Sequence, residues 1–393
     1  MSGAIGVVVL GMGRSGTSSV TRMLVRAGFF AGSEPDLMPA AEANPVGHWE
    51  NMNVWRANEE VLGKLGGSWF DPPPVAAQMA ARDWAVPLLQ AEVQRIIEQS
   101  QGAPIVIKDP RIGGMMPLWS PVLAGRLHPM LVVRDPVEIA LSLLSRDGTP
   151  IPFGLAAWEL HMTALFDHLQ DSLVTVAPYG RLVSDDALAP SIVEASAAHV
   201  DASLTEGLRP AEASAAFDPA LCRNRAAGND HDERLTSRQL DLWAFLSSLA
   251  PGDQSIDVPH SLRGPAVAAQ MTVRAETERV ASNEERAQLA HELAAQREQS
   301  NALKSDLATQ REHNDELDTT LLAERERRST LGSLLTDEQQ RSASLLTELQ
   351  AERDRANAAA ESHARAEQWL ASIQRSTSWR ITRPLRAVKR YLR

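Results

Sequence analysis

The sequence predicts a three-layer α/β domain with a mostly parallel central sheet, followed by a long α-helical coiled coil. Two observations predict the domain. Short β-branched runs alternate with helical patterns over the first 250 residues, and a glycine-rich turn joins the first strand to the first helix. A third observation predicts the coiled coil: from about Ala275 onward, aromatic residues and proline almost vanish while Glu, Gln, Arg, Ala, Ser and Leu dominate.

The predicted elements of the domain alternate along the chain. Because parallel strands need crossover connections, and helices usually supply them, this alternation indicates a mostly parallel sheet. The predicted strands are Ile5–Leu10, Pro104–Ile107, Met130–Val133 and Leu173–Val176, and the predicted helices include Pro136–Arg146, Phe153–Leu169 and Thr236–Leu249.

Changes in composition divide the chain into four parts. Residues 1–250 are predicted to form the globular domain, and residues 251–274, rich at first in Gly, Pro, Ser and Asp, are predicted to be a linker. Residues 275–375 are the predicted coiled coil, and residues 376–393 are a predicted basic amphipathic tail.

Leucines in the predicted coiled coil occur in pairs four residues apart, and the pairs recur every fourteen residues, or two heptads. If each pair occupies heptad positions d and a, the core positions between pairs are polar. We therefore expect self-association with a well-defined register and moderate stability, although one amphipathic helix lying on another protein is an alternative. The pairs are Leu289/Leu293, Leu303/Leu307, Leu317/Leu321, Leu331/Leu335 and Leu345/Leu349, separated by Gln296 and Ser300, Gln310 and Asn314, Glu324 and Arg328, and Glu338 and Ser342.

Bulk properties exclude several classes of protein. A formal net charge of −11 argues against broad binding to nucleic acid, which needs a basic face. Cys222 is the only cysteine, so no intramolecular disulfide forms and no Cys/His grouping indicates a structural zinc. The N-terminus does not resemble a signal peptide, and no apolar run reaches the roughly 18 residues of a membrane span. We expect a cytoplasmic protein, soluble or peripheral at the inner face of the membrane.

The glycine-rich turn reads Gly-Met-Gly-Arg-Ser-Gly-Thr-Ser over residues 11–18. Such a turn before a helix collects backbone N–H groups and the positive end of the helix dipole, so it predicts a site for a phosphate-like anion. A Walker A loop has Lys where this chain has Thr17, and that Lys reaches the β- and γ-phosphates of ATP. An ordinary kinase or ATPase is therefore disfavoured.

This turn resembles the 5′-phosphosulfate loop of the bacterial-type PAPS-dependent sulfotransferases, which commonly reads G-x-P-[RK]-[SG]-G-T. Here Gly13 replaces the usual proline. The resemblance implies a P-loop-like domain, PAPS as donor and PAP as product, with no metal required. It implies that Arg14 contacts the bridging oxygen and the 5′-phosphate. The remaining cradle residues that it implies are Gly13, Ser15, Gly16, Thr17 and Ser18.

A second segment, Val133–Ser142, resembles the 3′-phosphate motif of the same family. There an Arg and a Ser eight residues later hold the ribose 3′-phosphate, which implies this role for Arg134 and Ser142. The spacing places Arg134 at a strand end and Ser142 about two turns into the next helix. A helix cap or a surface ion pair is the alternative role for Arg134 and Asp135.

Weaker resemblances extend over roughly residues 1–250. Asn44–Asn51 and Val106–Arg111 are similar to segments of bacterial members, and Phe217–Arg223 to a late segment near the 3′-phosphate. The usual acidic Tyr-Glu-Asp segment is replaced by Tyr179–Asp185, so the acceptor side departs from the family pattern.

Sulfuryl transfer needs a base for the attacking hydroxyl and positive charge on the departing oxygen. Arg14 supplies that charge, and Lys108 is expected to add to it. The resemblance implies Glu50 as base, then His48, with Asp109 third. Each has a structural alternative: a loop anchor for His48 and Glu50, and an ion pair with Arg111 or a helix N-cap for Asp109.

The last segment, Ser376–Arg393, is similar to tails of bacterial cell-surface polysaccharide enzymes and implies a carbohydrate acceptor. Ile381, Leu385, Val388 and Leu392 define one helical face among six Arg and Lys side chains. Such a tail is typical of contact with anionic lipid, with a solvated tail or an acidic protein partner as alternatives. For the whole chain, the competing functions are a nucleotide kinase or NTPase and a non-catalytic nucleotide-binding scaffold.

Overall fold

The computed structural model describes residues 3–41, 44, 46–217 and 233–382. These residues form two compact units, Met1–Arg286 and Ala287–Arg393. The first unit contains a five-stranded sheet in the order β2-β1-β3-β4-β5. Four strands are parallel, and β5 pairs antiparallel with β4. The strands are β1 (Gly6–Leu10), β2 (Ile105–Lys108), β3 (Leu127–Val133), β4 (Leu173–Pro178) and β5 (Gly252–Ser255).

Helices connect the parallel strands and cover both faces of the sheet. The helices of both units, in the part of the chain that the structure describes, are α1 (Thr17–Arg26), α2 (Met52–Lys64), α3 (Val75–Ala80), α4 (Arg82–Gln99), α5 (Arg111–Gly114), α6 (Met116–Leu123), α7 (Pro136–Asp147), α8 (Ile151–Leu169), α9 (Tyr179–Ser184), α10 (Leu188–Ala197), α11 (Ala202–Thr205), α12 (Ser237–Ser248), α13 (Val267–Arg375) and α14 (Thr377–Ile381). Short 3₁₀ turns lie at Glu34–Asp36, Pro210–Glu212, Ser214–Ala216 and His260–Leu262.

The alternation of side chains in β1 explains the three layers. Val7 and Val9 face one way and pack in a core with α1 and α10, whereas Val8 and Leu10 face the other way, toward α2, α4, α6 and α8. All four valines and leucines are at most 1% exposed. A strand buried on both faces reads as a continuous apolar run, which is the pattern seen in this sequence. The predicted α/β architecture is confirmed.

The strand order creates a switch point between β1 and β3. The chain leaves β1 toward β2 on one side and returns to β3 on the other, so the loops after these two strands diverge at the same sheet edge. In open α/β sheets a ligand crevice forms at such a point, outside the carboxyl ends of the strands. Residues 11–16 and Arg134 both follow strands at this edge.

Residues 251–274 differ from the predicted linker. Residues 252–255 form β5, and Ile256, Val258 and Leu262 are buried at 3% exposure or less. The first turns of α13 also contribute to the core, since Val273 is fully buried. The strand was missed because Gly-Asp-Gln-Ser is short and polar, as edge strands often are.

The predicted long C-terminal helix is confirmed as α13, 109 residues from Val267 to Arg375. Its ten paired leucines are between 49% and 67% exposed in the single chain. Pairing of this helix with another stays a prediction. Among the described residues, no helix combines the length and apolar character needed to cross a bilayer. Positions 383–393 of the predicted basic tail lie outside the described residues.

Candidate functional site at the carboxyl edge of the sheet

The loop after β1 curls through two left-handed backbone positions before α1 begins. Arg14 has φ 72° and Gly16 has φ 95°. The Ser15 hydroxyl donates to the Met12 carbonyl at 2.7 Å, which fixes the turn. No side chain caps the start of α1, so its first N–H groups keep their capacity to bind an anion.

Both central glycines of this loop are packed against aromatic rings. A Cβ added to Gly16 would lie 2.2 Å from the Tyr179 ring, and one added to Gly13 would lie 2.9 Å from the Trp69 ring. Position 16 therefore requires glycine for two reasons: its φ is positive, and the Tyr179 ring approaches too closely for a side chain. At position 13 a proline, usual in the resembling family, would also meet Trp69.

The two motifs predicted to bind the donor are in direct contact. The Arg14 Nε donates to the Ser142 hydroxyl at 2.9 Å, across 128 residues of sequence. The Arg134 guanidinium donates to the backbone carbonyl of Arg14 at 2.9 Å. Arg14, Arg134 and Ser142 thus form one cluster where the β1 loop, the end of β3 and helix α7 meet.

Arg134 is held on two further sides. Its Nε pairs with the Glu138 carboxylate at 3.1 Å, and its guanidinium lies 4.8 Å from the centre of the Tyr179 ring. The neighbouring Asp135 caps α7 by accepting from the Val137 N–H at 2.8 Å. The cap predicted as an alternative for Asp135 is therefore present, and Arg134 is positioned against the loop by Glu138 and Tyr179.

Positive charge is concentrated around the loop. Burial lowers the pKa of Arg14, and the nearby charges of Arg146 and Arg134 lower it further. Cations crowded in this way repel one another, and an anion placed among them relieves that repulsion. The cluster is therefore electrostatically suited to a multiply charged anion, although the chain as a whole is acidic.

Lys108, the last residue of β2, links the loop to the segment before α2. Its ammonium donates to the Ser18 hydroxyl at 3.1 Å and to the His48 carbonyl at 3.3 Å. It also pairs with the Glu50 carboxylate at 2.5 Å. Lys108 and Glu50 are 4% and 6% exposed, so this is a buried ion pair. Breaking it by removing one partner would leave an uncompensated buried charge.

The two leading candidates for the base occupy different environments. The Glu50 carboxylate is paired with Lys108, whereas the His48 side chain is half-buried, and only its backbone carbonyl contacts Lys108. Burial lowers the pKa of His48, and the charge of Glu50 opposes that shift. Lys108, Arg14 and Arg146 make smaller contributions in the lowering direction. The imidazole is thus neutral at neutral pH and able to accept a proton. Trp49 between them has φ 57°, so the backbone turns sharply at this point.

Asp109 serves as a structural anchor. Its carboxylate accepts from the Asn58 amide at 3.0 Å and from the Arg111 N–H and guanidinium at 2.9 and 3.1 Å. Trp119 in turn donates to Asn58 at 3.0 Å. Burial raises the pKa of Asp109, and the charge of Arg111 opposes that rise. The ion pair with Arg111, predicted as the alternative role, is present.

The structure brings together most of the predicted site residues at one edge of the sheet. Thr17, the first residue of α1, is buried, and its carbonyl accepts from the Thr21 hydroxyl. The next residue, Ser18, contacts Lys108. Two contributors were not predicted: Tyr179, which directly follows β4 at this edge, and Glu138. The position of Tyr179 after a predicted strand is a signal that would have found it. Positions 218–223 of the predicted Phe217–Arg223 segment lie outside the described residues.

Comparisons with known proteins give little beyond this geometry. No protein-family model matches the chain, and no curated protein matches it. A solved structure described as the sulfotransferase domain from the Synechococcus PCC 7002 olefin synthase is similar at 16% identity, with a TM-score of 0.30. The similarity covers 70% of this chain and 96% of that chain. It is a distant structural neighbour, and the account of the site rests on the contacts described above.

Proposed function

We propose that this chain transfers a sulfuryl group from PAPS to a hydroxyl acceptor. The observation that carries the proposal is the hydrogen bond from Arg14 to Ser142, with Arg134 on the Arg14 carbonyl. These residues belong to the two segments that resemble the 5′-phosphosulfate and 3′-phosphate motifs. Their contact at a switch point of the sheet supports one shared binding site for both ends of the donor.

The residues present fit a ligand with this distribution of charge. The uncapped start of α1 and the loop N–H groups suit the 5′-phosphosulfate, with Arg14 and Lys108 as the nearby cations. Arg134 and Ser142 suit the 3′-phosphate. Glu138 beside Arg134 pairs with its Nε and holds the guanidinium in place.

In the proposed reaction PAPS supplies the sulfuryl group, and the chain supplies a proton acceptor and fixed positive charge. His48 accepts the proton of the attacking hydroxyl because its imidazole is neutral and not committed to an ion pair. Arg14 and Lys108 neutralise the negative charge that develops on the departing phosphate oxygen. Glu50 positions Lys108 and is assigned no proton transfer. The sequence favoured Glu50 as base, and the pairing of Glu50 with Lys108 is the reason for preferring His48.

The C-terminal tail bears on the acceptor and on the cellular site. We assign a carbohydrate hydroxyl of a cell-surface glycan or glycolipid, on the resemblance of residues 376–393 to tails of polysaccharide enzymes. The basic composition of that tail supports peripheral contact with an anionic inner membrane surface by a cytoplasmic enzyme.

A nucleotide kinase or NTPase is the competing function. It would need a cation at position 17 and an acidic residue free to hold Mg²⁺. Position 17 is a buried threonine, and Asp109 already accepts bonds from Asn58 and Arg111. Lys108 reaches Ser18 from β2 and is the feature that keeps this alternative open.

Thermal unfolding with added nucleotide separates these functions. A ligand that binds only the folded state raises the melting temperature, so PAP should stabilise the full chain by several degrees while ATP with Mg²⁺ does not. Arg14→Ala should remove most of the PAP effect. Arg126→Ala is the matched control, because Arg126 precedes β3 at the opposite sheet edge and contacts Gln94. Stabilisation by ATP–Mg²⁺ alone would support the NTPase, and PAP binding without PAPS turnover would support a scaffold.

A further inference from the structure

The ten paired leucines of α13 lie along one seam of the second unit, with polar core positions between the pairs. Leu289 and Leu349 mark its ends, and every paired leucine in between is about half exposed or more. Leucine at every second pair of d and a positions over these 61 residues is the pattern of a two-helix contact. A partner helix with the same leucine spacing would bury the seam. A second copy of this chain has that spacing because its sequence is identical.

The charged residues in the polar layers decide the orientation of such a pair. In a parallel, in-register pair each core residue faces its own copy. Glu324 would then face the partner's Glu324, and Arg328 would face the partner's Arg328. Like charges held together in a partly dehydrated layer destabilise the pair. The Glu338 layer adds a third such repulsion.

In an antiparallel pair an a position faces a d position of the other helix, which changes these contacts. With the two-fold axis at Glu326, Leu317 faces the partner's Leu335 and Leu321 faces the partner's Leu331. Glu324 then faces the partner's Arg328, and symmetry makes this contact twice. Leu303 faces the partner's Leu349 and Leu307 faces the partner's Leu345, whereas Leu289 and Leu293 face the partner's His363 and Ala359.

We propose that α13 pairs with α13 of a second copy in antiparallel orientation. In the register centred on Glu326, leucine faces leucine in eight layers, and the two charged central layers carry opposite signs. Asn314 faces the partner's Glu338 and Gln310 faces the partner's Ser342, so a neutral polar group meets each of these polar side chains. This proposal does not depend on the proposed sulfotransferase activity.

A shift of the partner by fourteen residues gives a competing antiparallel register, centred on Thr319. It places all ten leucines opposite leucines. However, it leaves Glu324 facing the partner's Asn314 and Arg328 facing the partner's Gln310, so the opposite charges no longer meet. Ser342 distinguishes the two registers, because it faces the partner's Gln310 in the first and the partner's Gln296 in the second.

Disulfide trapping in the full chain, with Cys222→Ser to remove the native thiol, tests the orientation. Gln310→Cys and Ser342→Cys, each alone, should remain unlinked after mild oxidation. The variant Gln310→Cys/Ser342→Cys should form a covalent dimer in the register centred on Glu326, and Gln296→Cys/Ser342→Cys should do so in the register centred on Thr319. A covalent dimer from a single variant would show a parallel pair and overturn the proposal, as would the absence of a covalent dimer from both double variants.

Charge exchange distinguishes the two registers by sedimentation equilibrium. In the register centred on Glu326, Glu324→Arg alone and Arg328→Glu alone should each weaken the dimer about tenfold or more, and the double exchange should restore it. Equal association of all four proteins would rule out that register, because Glu324 and Arg328 face neutral side chains when the axis lies at Thr319. A monomeric native chain would overturn the proposal. Far-UV circular dichroism controls for loss of helix.

Discussion

At the scale of single residues, the side chains of Glu50 and His48 differ in whether each is held in an ion pair. The Glu50 carboxylate holds the Lys108 ammonium in a buried pair. Burial lowers the pKa of His48 although the Glu50 charge opposes it, and only the His48 backbone contacts Lys108. The family resemblance favoured the carboxylate as base, whereas the contacts favour the imidazole.

His48→Gln should therefore lower turnover about 100-fold while PAP binding is retained, because glutamine cannot accept the proton. Turnover of the native chain should rise with pH through a value below 6.5, the ordinary pKa from which that of His48 is lowered. Glu50→Gln should instead lower the free energy of unfolding, since it leaves Lys108 without its counter-ion. It should keep a pH-dependent rate but move the profile to lower pH, because the Glu50 charge raises the pKa of His48. A pH-dependent rate that survives in His48→Gln but not in Glu50→Gln would reverse the assignment.

At the scale of elements, the edge of the sheet opposite the candidate site carries a second polar cluster. His128 on β3 bonds the Thr175 hydroxyl on β4 at 2.9 Å, and Thr175 donates to Asp253 on β5 at 2.6 Å. His199 contacts the same carboxylate at 2.9 Å. The two imidazoles are stacked, with centres 4.1 Å apart and planes within 17°. Lone pairs in parallel ring planes do not converge on one ion, so this arrangement fits a hydrogen-bonded clasp between strands better than a metal site.

This clasp predicts how stability depends on pH. Burial lowers the pKa of His128 to about 4, and His199 adds to that effect while Asp253 opposes it. A folded-state pKa below the unfolded value means that His128 stabilises the fold when neutral. That contribution is present above about pH 6.5 and is lost as the pH falls toward 4. Urea unfolding across this range should show a falling free energy of unfolding, and His128→Gln should flatten the dependence. An unchanged slope in His128→Gln would contradict the role of the clasp.

The sequence predicted the elements whose pattern is visible over a few consecutive residues. β1 and β3 are apolar runs buried on both faces, and the glycine-rich turn marked the start of α1. Contacts that depend on the path of the chain were harder to predict. The Arg14–Ser142 contact was not predicted, because the sequence only placed the two residues in two separate motifs for one donor. The ion pair between Glu50 and Lys108, 58 residues apart, leaves no local signature in the sequence. β5 escaped because a polar edge strand of four residues resembles a loop.

At the scale of the whole molecule, net charge and local charge have opposite signs. The chain carries a formal charge of −11, yet Arg14, Arg134 and Lys108 lie around one loop. Net charge therefore argues against broad binding to polyanions and is compatible with one small anionic ligand. The unit beyond Arg286 carries the exposed leucines, and self-association through them is a proposal separate from the anion site.

The central claim is that Arg14, Arg134 and Ser142 form one site for PAPS, and isothermal calorimetry with PAP and AMP tests it most directly. These nucleotides differ only in the 3′-phosphate, so the native chain should bind PAP about 100-fold or more tightly than AMP. Ser142→Ala and Arg134→Ala should each remove most of that preference. Ser145→Ala, an exposed position on the same helix, should leave it unchanged. Equal affinity of the native chain for PAP and AMP, or a preference that survives both site substitutions, would contradict the account.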